Sequence, residues 1–328
     1  MNNPQDNKER IELLTMSALY WSMIDSDGNE LFNVIEKYCH IHNELCDFNT
    51  IWHYTSAEGF KSIIEEGKVH FTHNAFLNDS TERTHVFDIV EKVLRSYTDS
   101  NKNEFAKYLL ELFHKDNEDP DSVDFVNPEE VQIFIFSCSL DKDSLPLWNH
   151  YSKNPAKAGF SIGLDVNEII KLQFKEKMLR GIGSNLYPVI YNDSEKENLV
   201  KEICDSACAI WNLENAKKDE VITKAYAAIR MAGAFLKHKA FESEHEARYI
   251  FYIQNKNIDD IKDMIRFRNI HGIFTPYVTV PFINNKTLKD VIISPTLKSK
   301  QAKSYADLFL KMNGYDMTSK TSQVPLRF

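Results

Sequence analysis

The chain has 328 residues, 43% of them hydrophobic and 27% charged, which is enough apolar material for one large domain or two ordinary ones. Its net charge of -9 argues against general affinity for duplex nucleic acid, which needs a basic face, and leaves room only for a local basic groove. There is no apolar run of membrane-span length and no signal-peptide pattern at the polar start, so the five scattered cysteines are expected to be reduced thiols in a cytoplasmic protein without membrane partners.

Residues 9–24 place Ile11, Leu14, Ala18 and Trp21 on one helical face, and 31–45 form a second amphipathic helix after the turn Ser26-Asp27-Gly28-Asn29. The pair predicts an N-terminal helical hairpin, 1–48, packed on the body as structural support. Cys39, His42 and Cys46 share a face of the second helix, a spacing that zinc could use with a fourth ligand from elsewhere. The second cysteine pair usual in such sites is absent, and no metal is expected.

From Asn49 the pattern changes. Ile51-Trp52-His53-Tyr54-Thr55 reads as a strand, Ser56 caps a helix over 57–66, Gly67 ends it, and 69–72 is a second strand. Asn78-Asp79-Ser80-Thr81-Glu82-Arg83 is a polar loop capping the next helix, and 104–114 is another helix. The acidic stretch 115–128 is a surface loop. Residues 131–137 are too apolar for a half-exposed strand and predict a central strand buried on both faces.

A helical turn over 144–151 sets Trp148 and Tyr151 on one face. A strand over 159–164 ends at Asp165, a short helix follows over 167–172, and 186–191 is a further strand. Residues 195–238 are mostly helical with a break near 213–219, and the basic end Lys237-His238-Lys239 suits the helix dipole. Prolines limit 272–281 to an edge strand or irregular extended chain. A last strand over 291–295 and a helix over 302–312 precede a polar tail. Many strands with irregularly interleaved helices predict an α+β fold, with a core over 49–297 and a C-terminal helix and tail over 298–328.

The chemistry concentrates in Phe241-Glu242-Ser243-Glu244-His245-Glu246-Ala247-Arg248, which runs into a β-prone segment at Tyr249. Glu244 and Glu246, two apart, face one side of an extended chain, and neighbouring acids need a cation, a shared proton or a ligand. Arg248 on the same side supplies a salt bridge as the simplest answer. The sharper answer is a site that stabilises positive charge on a substrate.

Glycine-rich phosphate loops, G-x-S-x-G and H-E-x-x-H are all absent. Cys138 at a buried strand end suits packing better than nucleophilic attack. Asp165, Glu244 and Glu246 could serve a metal-dependent nuclease. The polar and aromatic residues at strand and turn ends, His53, Tyr54, Thr55, Asn78, Trp148, Tyr151, Glu244, Glu246 and Arg248, suit a planar cationic ligand such as the nicotinamide of NAD. A carboxylate there can stabilise the oxocarbenium-like charge that develops as nicotinamide leaves.

His53-Tyr54-Thr55, Leu77-Asn78-Asp79 with Glu82, Ser137-Cys138-Ser139, Leu147-Trp148-x-x-Tyr151, the strand ending at Asp165, Lys239-x-Phe241-x-x-Glu244-x-Glu246-x-Arg248 and Pro276-Tyr277 occur in one order. Together they resemble the bacterial domain-of-unknown-function 2971 family over 51–295. That family is in turn distantly similar to the ADP-ribosyltransferase superfamily of the DNA-modifying toxin type. The resemblance implies a split β-sheet core with helical insertions and NAD as substrate. It implies Glu246 or Glu244 as the catalytic acid, His53 on the ribose, and Tyr54 and Tyr151 as stacking rings.

It also implies an unknown macromolecular acceptor, protein or nucleic acid, and a setting in phage defence or a toxin system with a partner protein. Phe241 stands where the family pattern has tryptophan, and the paired-tyrosine spacing of diphtheria-toxin-like enzymes is absent. A metal-dependent nuclease and a non-catalytic sensor or interaction module are the competing readings.

Overall fold

The computed structural model describes residues 34–35, 49–77, 82–97, 100–118, 131–152, 159–175, 183–270, 272–297 and 299–325. Of the expected N-terminal hairpin only Val34 and Ile35 fall within it; both are helical, and Ile35 is fully buried in a hydrophobic core. The Cys39, His42 and Cys46 face, the loop from Asn78 to Thr81 and the side chain of Tyr151 lie outside the described residues.

The first unit is β1 (Thr50–Ser56), α1 (Ala57–Glu66) and β2 (Val69–His73). Its punctuation follows the sequence. The Ser56 side chain accepts the Gly59 N–H, and Gly67, in the left-handed region at φ 64°, donates its N–H to Ile63. Two helices, α2 (Glu82–Arg95) and α3 (Ser100–Glu118), lead to the central strand β3 (Val131–Ser139). The predicted acidic loop therefore begins later, since 115–118 continue α3.

Next come α4 (Leu145–Ser152), β4 (Gly159–Asp165), α5 (Val166–Lys175) and β5 (Gly183–Pro188). The expected long helical stretch is α6 (Asp193–Trp211) and α7 (Lys218–Gly233), broken where predicted. The remainder is β6 (Glu246–Gln254), β7 (Ile265–Ile270), β8 (Ile273–Val280), β9 (Leu288–Ile293), α8 (Lys300–Met312) and β10 (Lys320–Thr321).

These strands make one ten-stranded, open sheet, and the fold is α+β. Its path runs β10-β9-β4-β1-β3-β2-β8-β7, with β6 also on β3 and β5 on β6. Pairing is antiparallel except between β9 and β10. β3 is buried on both faces, as its composition requires. Ile133 and Ile135 face a core built with α2, α3, α6 and α7, while Phe134, Phe136 and Cys138 face the opposite core with α1, α5 and α8. A smaller cluster joins Trp52, Tyr54, Leu147, Trp148 and Ile292.

The two edges of β3 differ. β6 pairs along its whole length, from Val131↔Gln254 to Ser139↔Glu246. The other edge is shared between two strands, β2 at Ile135 and Phe134 and β1 only at Ser139. Between those contacts, at Phe136 to Cys138, no strand among the described residues pairs with that edge. This edge of β3 is thus divided between two strands of one sheet.

Two segments depart from the sequence reading. The proline-bearing stretch is not at an edge: β8 lies between β2 and β7. Pro276 is tolerated because β2 pairs with β8 only from Tyr277 onward, so at Pro276 the strand is bonded on the β7 side alone. The polar tail does not stay outside. Lys320 and Thr321 join β9, and Ser322 and Gln323 both donate to the Asp143 carboxylate beside α4.

Candidate active site

The end of β6 carries a polar knot. A 3-10 turn, Lys239–Glu244, ends at His245, which has a φ of 40°, the only positive value at a non-glycine among the described residues. Two groups at the exit of β3 hold this turn in place. Ser139 Oγ donates to the Glu244 carbonyl at 2.7 Å, and the Leu140 N–H donates to the His245 carbonyl at 2.8 Å. The turn brings Glu244 and Glu246 to one cation. Lys237 Nζ donates to Glu244 Oε2 at 2.7 Å and to Glu246 Oε2 at 3.0 Å.

Glu246 is also gripped by Arg248. Nε donates to Oε1 at 2.9 Å and NH2 to Oε2 at 3.1 Å, a forked pair with good specificity. The remaining guanidinium nitrogen donates to the Ala234 carbonyl at the end of α7. Arg248 is 2% exposed and Glu246 7%. Burial by itself would raise the Glu246 carboxyl, but Arg248 and Lys237 outweigh it, the Ser137 hydroxyl adds a hydrogen bond, and the pKa falls to about 2. Burial works against the Lys237 ammonium, and the two glutamates raise it above its ordinary value nonetheless. Glu244, with 18% of its side chain exposed, meets one cation among the described residues, Lys237.

His53 sits where β1 leaves β3. Its Nδ1 donates to the Ser137 carbonyl at 2.9 Å, filling with a side chain the backbone partner that the divided edge lacks. Since a carbonyl only accepts, Nδ1 carries the proton and Nε2 carries the lone pair. Desolvation lowers the imidazole pKa to about 4, so the ring is neutral near pH 7. The ring is half-buried and lies 4.4 Å from Phe136, centre to centre. Ser137 therefore stands between the two candidates: its carbonyl accepts from His53, and across the strands it pairs with Arg248, which grips Glu246.

The other predicted residues lie apart from this knot. Tyr54 is buried: its hydroxyl donates to the Asp141 carbonyl and accepts the Ser144 N–H, and desolvation drives its pKa far up. Trp148 meets Tyr54 edge-on at 4.8 Å, is fully buried, and donates its indole N–H to Asp143. Neither ring offers a face to solvent. Thr55 is 9% exposed. Two strands, β1 and β3, separate Asp165 on β4 from β6; it accepts the Glu168 N–H and pairs with Lys289. Burial pushes the Cys138 thiol well above its ordinary pKa, so it is inert near neutrality. Among the described residues, no group of three or more His, Cys, Asp or Glu is set to hold a metal ion.

Sequence reasoning read Lys237 as a helix-dipole residue and missed its place between the glutamates. The apolar run Ala234-Phe235-Leu236 directly before it was the available signal that this lysine enters the core. It also missed Tyr191, whose hydroxyl accepts the Glu246 N–H, and Lys196. Lys196 is fully buried, and its Nζ meets His85 Nε2 at 2.8 Å, the Lys237 carbonyl at 3.1 Å and Asp193 at 2.6 Å.

A family model described as a protein of unknown function (DUF2971) matches residues 147–249, less than half of the chain. The matched stretch carries Lys237, Glu244, Glu246 and Arg248, and His53 falls before it. Neither the curated proteins nor the solved structures contain a match. No helix among the described residues is long and apolar enough to cross a membrane.

Proposed function

We propose that the chain acts on NAD, as an ADP-ribosyltransferase or an NAD-cleaving effector, with the nicotinamide-ribose end at His53, where β1 leaves β3. The observation that supports this reading is Ser137, whose carbonyl accepts from a neutral histidine and which pairs across the strands with Arg248, the partner of Glu246. His53 Nε2 accepts a ribose hydroxyl. The bond from ribose to nicotinamide breaks with its electron pair leaving on nicotinamide, and a carboxylate stabilises the positive ribose until an acceptor or water adds.

Glu244 is better suited to that role than Glu246. It is the more exposed of the two, and Arg248 does not neutralise it. Arg248 then positions Glu246 and does not bind the ligand. The setting proposed is a phage-defence or toxin system with a protein or nucleic-acid acceptor.

One observation favours a non-catalytic sensor or interaction module instead: Glu246 is paired with two cations and buried, as a structural ion pair would be. The nuclease alternative needs Asp165 beside the glutamates, and its partners lie elsewhere.

Nicotinamide release from NAD by the full chain separates the three, measured with and without EDTA and with added protein or nucleic-acid acceptors. The expected result is EDTA-insensitive release that Glu244→Gln lowers by about a hundredfold, the size of a lost transition-state electrostatic contact. No release under any addition sinks the NAD reading. Divalent-dependent cleavage of nucleic acid supports the nuclease.

A further inference from the structure

The β7–β8 hairpin carries a surface that the proposed site does not use. β7 ends its side of the sheet, and no strand among the described residues pairs with its outer edge. Arg266, Phe267, Arg268 and Asn269 are all exposed. Strand alternation sorts them onto two faces. Arg268 donates to Thr72 Oγ1 at 2.9 Å, and its guanidinium lies 5.7 Å from the Tyr277 ring centre. Arg266 pairs with Tyr277 across the strands, so both arginines share that face. Phe267 lies on the opposite face with Phe274, which pairs with Asn269.

Phe267 is 63% and Phe274 71% exposed, high values for phenylalanine in a paired strand. Arg266 donates to the Ile265 carbonyl and Arg268 to Thr72, and neither meets a carboxylate among the described residues, in a chain of net charge -9.

We infer that this edge binds an extended acidic segment of another protein, which adds as a strand alongside β7. Acidic side chains at alternate positions face Arg266 and Arg268, and the apolar side chains between them cover Phe267 and Phe274. An open backbone edge with one cationic face and one aromatic face selects a strand that alternates in this way. A nucleic-acid strand on the arginine face would leave both phenylalanines in water. Self-pairing is electrostatically poor. Antiparallel pairing about a two-fold axis sets like faces together, so registers centred on Arg266, Phe267 or Arg268 each put arginine opposite arginine. Arginines also guard an edge against aggregation, but that role gives no reason for two exposed phenylalanines beside them. The inference is independent of the NAD reading.

The test uses a short labelled peptide of alternating glutamate and valine, followed by fluorescence anisotropy with the full chain. Saturable binding that weakens with salt is expected. The double variant Arg266→Glu/Arg268→Glu lowers affinity roughly tenfold, as two exposed pairs of this kind allow. A lysine-for-glutamate peptide binds that variant better than wild type. Phe274→Ser weakens binding without altering its salt dependence, and both variants keep the wild-type urea midpoint because the residues are exposed. Absence of saturable binding overturns the proposal, as does binding insensitive to charge reversal. So does displacement of the peptide by a single-stranded oligonucleotide that binds more tightly. A wild-type dimer in light scattering that Phe267→Glu dissociates also overturns it.

Discussion

Arg248 and Glu246 are the residues on which the candidate site mechanically depends. Removing Arg248 leaves the buried Glu246 carboxylate with Lys237 alone, which Glu244 shares, so Arg248→Met is expected to cost about 3 kcal/mol in urea unfolding, the low end for a broken buried pair. Arg248→Met/Glu246→Met together should cost less, because no orphan charge remains. Acid sensitivity at this scale has two windows. The folded pKa of His53 lies at about 4 against an ordinary 6.5, so its contribution is complete above pH 6.5 and is lost as pH falls towards 4. The carboxyl of Glu246 is held at about 2 against 4.5, so its contribution fades only below pH 4.5. Urea midpoints across pH should therefore drop in two steps, and His53→Asn should flatten the upper one alone. The glutamates and Arg248 were legible in the sequence because charge spacing along a strand is local. Lys237 was not, since its partners depend on how α7 returns to β6.

At the scale of elements, β1 is held by what lies over it. A Cβ added at Gly163 on β4 would come within 2.8 Å of the Trp52 ring, so Gly163→Ala is expected to cost about 1–3 kcal/mol through overpacking. Ser56→Ala removes the cap of α1 and should cost about 1 kcal/mol, read as a lower thermal midpoint. Capping residues, helix periodicity and the two-faced apolar run of β3 were readable because each is a short-range signal. The position of β8 was not. A proline is excluded from a strand only where its missing N–H faces a partner, and which side of β8 is paired at Pro276 follows from strand order. The same blindness hid β10, whose two residues carry no pattern of their own.

For the whole molecule, the tail acts as a strap. Ser322 and Gln323 converge on Asp143, which also accepts the Trp148 indole N–H, and Val324 packs against the same cluster. A chain ending after Met312 is expected to lose protection from hydrogen exchange over α4 first, while α6 and α7 keep theirs, because the strap touches the former and not the latter.

The pairing of β3 with β6 has a kinetic side. The hydrogen bond from Ser139 to the Glu244 carbonyl closes a loop of 105 residues. Closing so long a loop must be compensated by contacts that form only when both strands are in place. The α6–α7 hairpin, whose contacts are local, can assemble earlier and serve as the surface on which β6 is recruited. Refolding should then show helical signal ahead of the fluorescence change at Trp148, with the slow step set by chain topology.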